Sequence, residues 1–168
     1  MSYLFSARGG SAYGMKKLKI TKLKIIFMFL IINTTNNEFI LLILAKSQTD
    51  FKVKKIKAEF KQSERLLSAI AELLKKNNIN LTQLKGLGVV SGPGGFTSLR
   101  IGVVTANTLA YALKIPVVGI KRAEFENNQE LIKKILAPFR RSGGKFILAK
   151  NIILPFYGGE PNISYPSH

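Results

Sequence analysis

GLGVVSGPGGFTSLRIGVVTANTLAYALKIPVVGI, residues 86–120, runs from an apolar segment through a glycine-rich turn and a helix-length stretch to a second apolar segment. The two apolar runs, 86–90 and 116–120, have the length and β-branched content of buried strands. A helix starting near Leu99 or Arg100 and ending near Leu113 joins them, which predicts a parallel strand pair bridged by a crossover helix. That unit sets the fold class as α/β. The helix is unusual in one respect: its only charged residue is Arg100.

On a helical wheel Leu99, Gly102, Val103, Ala106, Leu109, Ala110 and Leu113 share one side. Gly102, Ala106 and Ala110 form a row of small residues four apart, which lets the helix axis lie close against a sheet. The opposite side holds Arg100, Val104, Asn107, Thr108 and Tyr111. A solvated helix face carries several Lys or Glu, so this face is expected to contact protein. A second layer of the same chain and a foreign subunit both fit that expectation.

Working outward, the apolar runs 25–32 and 39–45 flank the polar stretch NTTNNE and predict a hairpin: strand 25–32, turn 33–37, strand 38–45. Both runs are too short for a membrane span of about 20 apolar residues. A third strand over 51–58 alternates imperfectly with lysines, as an edge strand does. SERLLSAIAELLKKNN predicts a helix with Ser63 as its cap and Glu64 at the positive end of the dipole. Its apolar face is Leu66, Leu67, Ile70, Leu73 and Leu74. A third helix is expected over 128–135, ended by APFRRSGGKF, and a last short strand between 146 and 153. The closing LPFYGGEPNISYPSH is too rich in Pro and Gly to be regular. Residues 1–24 read as an N-terminal extension.

Composition narrows the chemistry. The chain has 168 residues, 46% of them hydrophobic, enough for one core. It has no cysteine, and its one histidine is His168, the last residue. Serine–histidine triads, thiolate zinc sites and histidine-built metal centres within the fold are thereby disfavoured, so no catalytic residue, metal site or cofactor is assigned. With 26 Lys and Arg against 9 Asp and Glu, the net charge is +17. Such a balance attracts polyanions, and Lys54, Lys55 and Lys57 are candidate RNA contacts.

The loop Ser91-Gly92-Pro93-Gly94-Gly95-Phe96-Thr97 has the outline of a phosphate cradle at a helix N-terminus. It lacks the lysine of a Walker A loop, the GxGxxG pattern and the acidic residue that follows the next strand of a dinucleotide site. Two readings follow: a small nucleotide-binding enzyme using residues 91–98, or a tight turn shaped by Gly92, Pro93, Gly94 and Gly95, with Thr97 or Ser98 capping the helix and Gly102 seating it.

GPGGFTSLRIGVVTANTLAYALKIPVVGI resembles the GPGSFTGLRIG…AKGLA…IPLVGV signature of the TsaB (YeaZ) family, bacterial proteins needed to make threonylcarbamoyladenosine in tRNA. IINTTNNEFILLIL resembles that family's first hairpin, QSERLL its HSE..L helix, and LPFYGGEPNI its closing P.Y segment. The resemblance implies an actin-like, ribonuclease H-like (ASKHA) lobe: a mixed five-stranded sheet with helices over 25–122, and a second lobe reduced to a remnant over 123–168. It implies a cytoplasmic, noncatalytic subunit that forms a heterodimer with the catalytic, metal-binding protein TsaD, joined by the ATPase TsaE, touching tRNA indirectly and free to self-associate when alone. By the same resemblance, the partner surface comprises Ser63, Leu67, Ala71 and Leu74 of one helix and Arg100, Val104, Asn107, Thr108 and Tyr111 of the next. The chain departs from the pattern at Gly95 and Ser98, which stand for Ser and Gly. Gln62 stands where the family often has His, and Asn33 where related sugar-kinase and actin-like folds place an aspartate beside metal and phosphate.

Overall fold

A computed structural model describes residues 28–59, 61–141 and 152–159. The expected extension 1–24, the start of the first strand at 25–27 and most of the expected strand 146–153 lie outside the described residues.

Three apolar segments make an antiparallel meander: β1 (Met28–Asn33), β2 (Phe39–Ala45) and β3 (Phe51–Lys57). Then come α1 (Gln62–Lys76), β4 (Leu84–Gly92), α2 (Phe96–Leu113), β5 (Val117–Lys121) and α3 (Asn128–Arg141). The five strands form one mixed sheet in the order β3-β2-β1-β4-β5, with β4 parallel to both β1 and β5. Placing β4 beside β1 rather than beside β3 makes β1 the central strand and buries its apolar residues with those of β4: Leu30, Ile31, Ile32, Leu87 and Val89 are all fully buried.

The crossovers β3–α1–β4 and β4–α2–β5 step across the sheet in the same direction. Crossovers of one hand then place both helices on one face. There Leu66, Ile70, Leu73 and Leu74 of α1 and Leu99, Val103 and Ala106 of α2 pack on Leu30, Ile32, Leu42 and Val89. The other face is covered by α3, through Leu131, Ile132, Ile135, Leu136 and Phe139 over Phe29, Ile31, Ile43 and Val90. A side chain at Gly86 or Gly88 would strike Phe139 or Ile135, so these two glycines let α3 lie close on β4.

Four boundaries differ from expectation. α1 starts one residue early, and Ser63 sits exposed in its first turn; the cap residue is Lys61, with no side-chain cap bond. The preceding Gln62 is buried instead, its Nε2 donating to the Asn36 carbonyl at 2.6 Å. β4 runs nine residues, not five, because pairing with β1 extends it at the start and pairing with β5 at the end. α2 starts at Phe96: Gly95 is its cap residue, and the first helical bond, Leu99 N–H to Gly95 O, is 2.8 Å. Thr97 and Ser98 therefore lie inside the helix and do not cap it. α3 continues through Pro138 to Arg141. A proline inside a helix costs about 3 kcal/mol. Burying Phe139 against Phe29, ring centroids 4.7 Å apart, contributes on the order of 2 to 3 kcal/mol and offsets most of it.

Candidate functional site

The glycine loop closes on the chain's own β1–β2 turn. Asn33 Oδ1 accepts hydrogen bonds from the Thr35 N–H at 3.1 Å and the Thr35 hydroxyl at 2.8 Å, folding the turn back on itself. The side chain at the position of a metal-bearing aspartate in related folds is thus spent on local geometry. Thr35 O accepts the Gly95 N–H at 3.2 Å, and the Ser98 hydroxyl lies within hydrogen-bonding distance of Asn37 Oδ1 and Gly95 O. A Cβ on Gly94 would meet the Thr35 backbone, and one on Gly95 the Asn37 side chain.

Gly92 has φ +124°, and a Cβ there would strike the Phe156 carbonyl. Phe156 in turn donates its N–H to Ser91 O at 2.6 Å. The glycine loop is therefore walled by residues 33–37 on one side and by the segment 152–159 on the other. Pro93 and Thr97 remain exposed on its rim. Among the described residues no three His, Cys, Asp or Glu side chains gather to hold a metal ion.

Of the expected inner side of α2, Leu99, Gly102, Val103, Ala106 and Ala110 are buried and Leu109 and Leu113 half-buried, with Gly102 seated on Thr34. Its outer side is divided. Asn107 binds the backbone of Ile153 twice, donating from Nδ2 to the carbonyl at 2.8 Å and accepting the N–H on Oδ1 at 3.1 Å. Arg100 Nε donates to the Tyr157 hydroxyl at 2.6 Å while its guanidinium lies 3.9 Å from the Phe96 ring centroid, and Phe96 stacks on Tyr157 at 4.8 Å. Residues 152–157 thus form an extended strap with Ile153, Pro155 and Tyr157 turned inward and Ile152, Leu154 and Phe156 outward.

Past the strap, α2 is bare. Val104 is 61% exposed and Tyr111 is 88% exposed, with Thr108 exposed between them. On the neighbouring α1, Leu67 is 57% exposed and Ala71 is exposed as well. Leu67 falls at the edge of the buried stripe, not within it, and borders an open groove of ≈ 580 Å³ that Leu109 of α2 also lines. Leu74, expected at a partner surface, is 5% exposed and belongs to the core. The structure therefore leaves Leu67 and Ala71 of α1 and Val104, Thr108 and Tyr111 of α2 exposed. It leaves Ser63 exposed at the start of α1, and ties Arg100 and Asn107 to the strap. The strap was hidden from pattern reading because its two-residue alternation is interrupted by Pro155 and lies in a stretch of Pro and Gly.

Comparison with known proteins bears on this arrangement. A family model described as TsaD, tRNA N6-adenosine threonylcarbamoyltransferase, matches residues 56–138, just under half of the chain. Curated proteins of that description include one from Geotalea daltonii, 39% identical over 67 residues, and one from Bdellovibrio bacteriovorus, 31% identical over 93 residues. These alignments take in 40% and 55% of this chain but only 20% and 24% of those proteins. Among solved structures, YeaZ from Pseudomonas aeruginosa superposes with a TM-score of 0.53 at 24% identity, over 56% of this chain and 44% of that one. The lobe has the actin-like, ribonuclease H-like fold. The expected mixed five-stranded α/β architecture is thereby found, and the chain spans about a fifth to a quarter of the length of the curated relatives it matches. Among the described residues no helix is long and apolar enough to cross a membrane.

Proposed function

We propose that this chain is a noncatalytic subunit of the tRNA threonylcarbamoyladenosine machinery, which docks the outer surface of α1 and α2 against TsaD and thereby supports the transferase. The observation that carries the proposal is the exposure of Leu67, Val104 and Tyr111 on a helix pair otherwise seated on its own sheet. Large exposed apolar side chains gathered on one surface mark interaction sites, and tyrosine at the centre of such a surface is a frequent anchor. Both sets of relatives support the pathway: the sequence matches bear the transferase's name, and the structural neighbour is YeaZ.

Between the role of the transferase and that of its partner, the donor set favours the partner. The sequence has no cysteine and one histidine, His168, so a histidine-held metal has no ligands between residues 28 and 141. The glycine loop favours the same reading, since the Gly95 N–H already serves Thr35 and the approach to Gly92 is taken by Phe156. TsaE and tRNA join through TsaD in this scheme, in the cytoplasm, and a second copy of the chain is the competing occupant of the surface.

Co-expression with TsaD tests the proposal. The wild-type chain is expected to co-purify with TsaD, and Leu67→Asp, which alters an exposed side chain, is expected to abolish capture while the variant stays folded. Undiminished capture of Leu67→Asp overturns the docking surface. Heat released on titrating the chain with magnesium ATP would favour a nucleotide-binding enzyme built on residues 91–98.

A further inference from the structure

The cationic residues are not spread evenly over the fold. β3 is an edge strand, and Lys52 and Lys54 project from it on the side that faces α1. Lys75 and Lys76 end α1 directly opposite. Together with Glu72 and Asn77 they line an open groove of ≈ 860 Å³. Lys54 is paired with Glu72 at 2.6 Å, and this hydrogen bond and charge hold the Glu72 carboxyl below its ordinary value. Among the described residues Glu72 is the only carboxylate lining the groove, so three of its four lysines lack an acidic partner among them. Of the lysines singled out from sequence, Lys54 lines this groove, while Lys57 pairs with Glu59 at 2.7 Å and Lys55 lies over the Phe39 ring.

We propose that this groove binds the phosphodiester backbone of RNA without reading its sequence. Several features favour that occupant. Lysines two apart on a strand repeat about every 6.6 Å, which presents cations in a row rather than as a single point. Among the described residues the lining contains no aromatic side chain on which a base could stack, so contact is confined to the backbone. The lysines face one another across a concavity whose apolar lining residues are the buried Leu73 and the exposed Val53, and one valine falls short of the broad apolar face with which a membrane-surface element inserts. Glu72 acts as an internal competitor for Lys54. The groove shares only Lys75 with the apolar groove beside Leu67, and RNA binding and capture of TsaD are read separately.

Fluorescence anisotropy with a labelled oligouridylate of about a dozen nucleotides tests it. The triple variant Lys52→Ala/Lys75→Ala/Lys76→Ala is expected to bind roughly tenfold or more weakly at physiological salt, with the slope of log affinity against log salt reduced by about 2. A control triple of equal charge, Lys121→Ala/Lys133→Ala/Lys134→Ala, is expected to lose much less. Glu72→Gln is expected to tighten binding about two- to fivefold by releasing Lys54, while Glu64→Gln, at the far end of α1, leaves it unchanged. Equal losses in the two triples would show diffuse attraction to a +17 protein and overturn the groove. Polyglutamate or phosphatidylserine vesicles that displace the probe as well as unlabelled RNA does, charge for charge, would overturn the assignment of RNA as occupant.

Discussion

Thr34 and Gly102 show how closely single residues set the seat of α2. The Thr34 hydroxyl is fully buried beneath Gly102 with no hydrogen-bond partner. A buried unpaired hydroxyl costs on the order of 1 to 3 kcal/mol, so Thr34→Val, of the same shape, is expected to raise the urea midpoint by an amount worth about 1 kcal/mol. A lowered midpoint would mean that the hydroxyl is satisfied in solution. Gly92→Ala acts in the opposite direction, because φ +124° and the Phe156 carbonyl both exclude a Cβ. A loss of about 2 kcal/mol or more is expected in the same urea titration, and a neutral result would show that the strap does not hold this position closed. The need for glycine at 92 was legible from the Gly-Pro-Gly-Gly run. The partner that makes it necessary, a carbonyl more than sixty positions away in the chain, was not, since no local pattern encodes a contact between loops.

At the scale of elements, apolar periodicity located every α-helix and strand among the described residues but neither short 3-10 turn, Leu81–Gln83 or Arg122–Glu124, and it also missed boundaries. Ser63, Thr97 and Ser98 are sound cap residues by type, yet Lys61 and Gly95 occupy the cap positions because Gln62 and Ser98 are drawn inward to the β1–β2 turn. Tertiary hydrogen bonds outweigh a cap worth about 1 kcal/mol. α2 ends on Lys114 in the left-handed region, φ 54°, where glycine is the favoured residue. Lys114→Gly is expected to stabilise the fold by roughly 0.5 to 1 kcal/mol, read as a higher denaturation midpoint. The strap depends on Asn107, which binds Ile153 through both ends of its amide. Asn107→Ala is expected to release it, seen as faster proteolysis near residues 152–157 with the melting of the sheet core little changed. Unaltered cleavage would show that the Arg100–Tyr157–Phe96 stack suffices to hold the segment.

For the whole molecule, strand–helix–strand order gave the α/β class, and the hairpin gave the antiparallel half of the sheet. The insertion of β4 beside β1 was not encoded in any one segment, because it reflects which strands bury the most apolar surface at the centre. The same global competition explains α3. Read alone it is a short amphipathic helix stopped by Pro138, but on the sheet it is the sole helix covering the second face among the described residues. The lobe that results has a glycine loop walled on two sides, exposed apolar side chains on α1 and α2, and a lysine-lined groove between α1 and β3, an arrangement suited to holding partners. Calorimetric titration of the chain into TsaD measures that directly. Wild type is expected to bind, and Tyr111→Asp, at an 88% exposed position, is expected to weaken binding about a hundredfold or more with its melting temperature unchanged. Equal affinity for the two chains would contradict docking through α1 and α2.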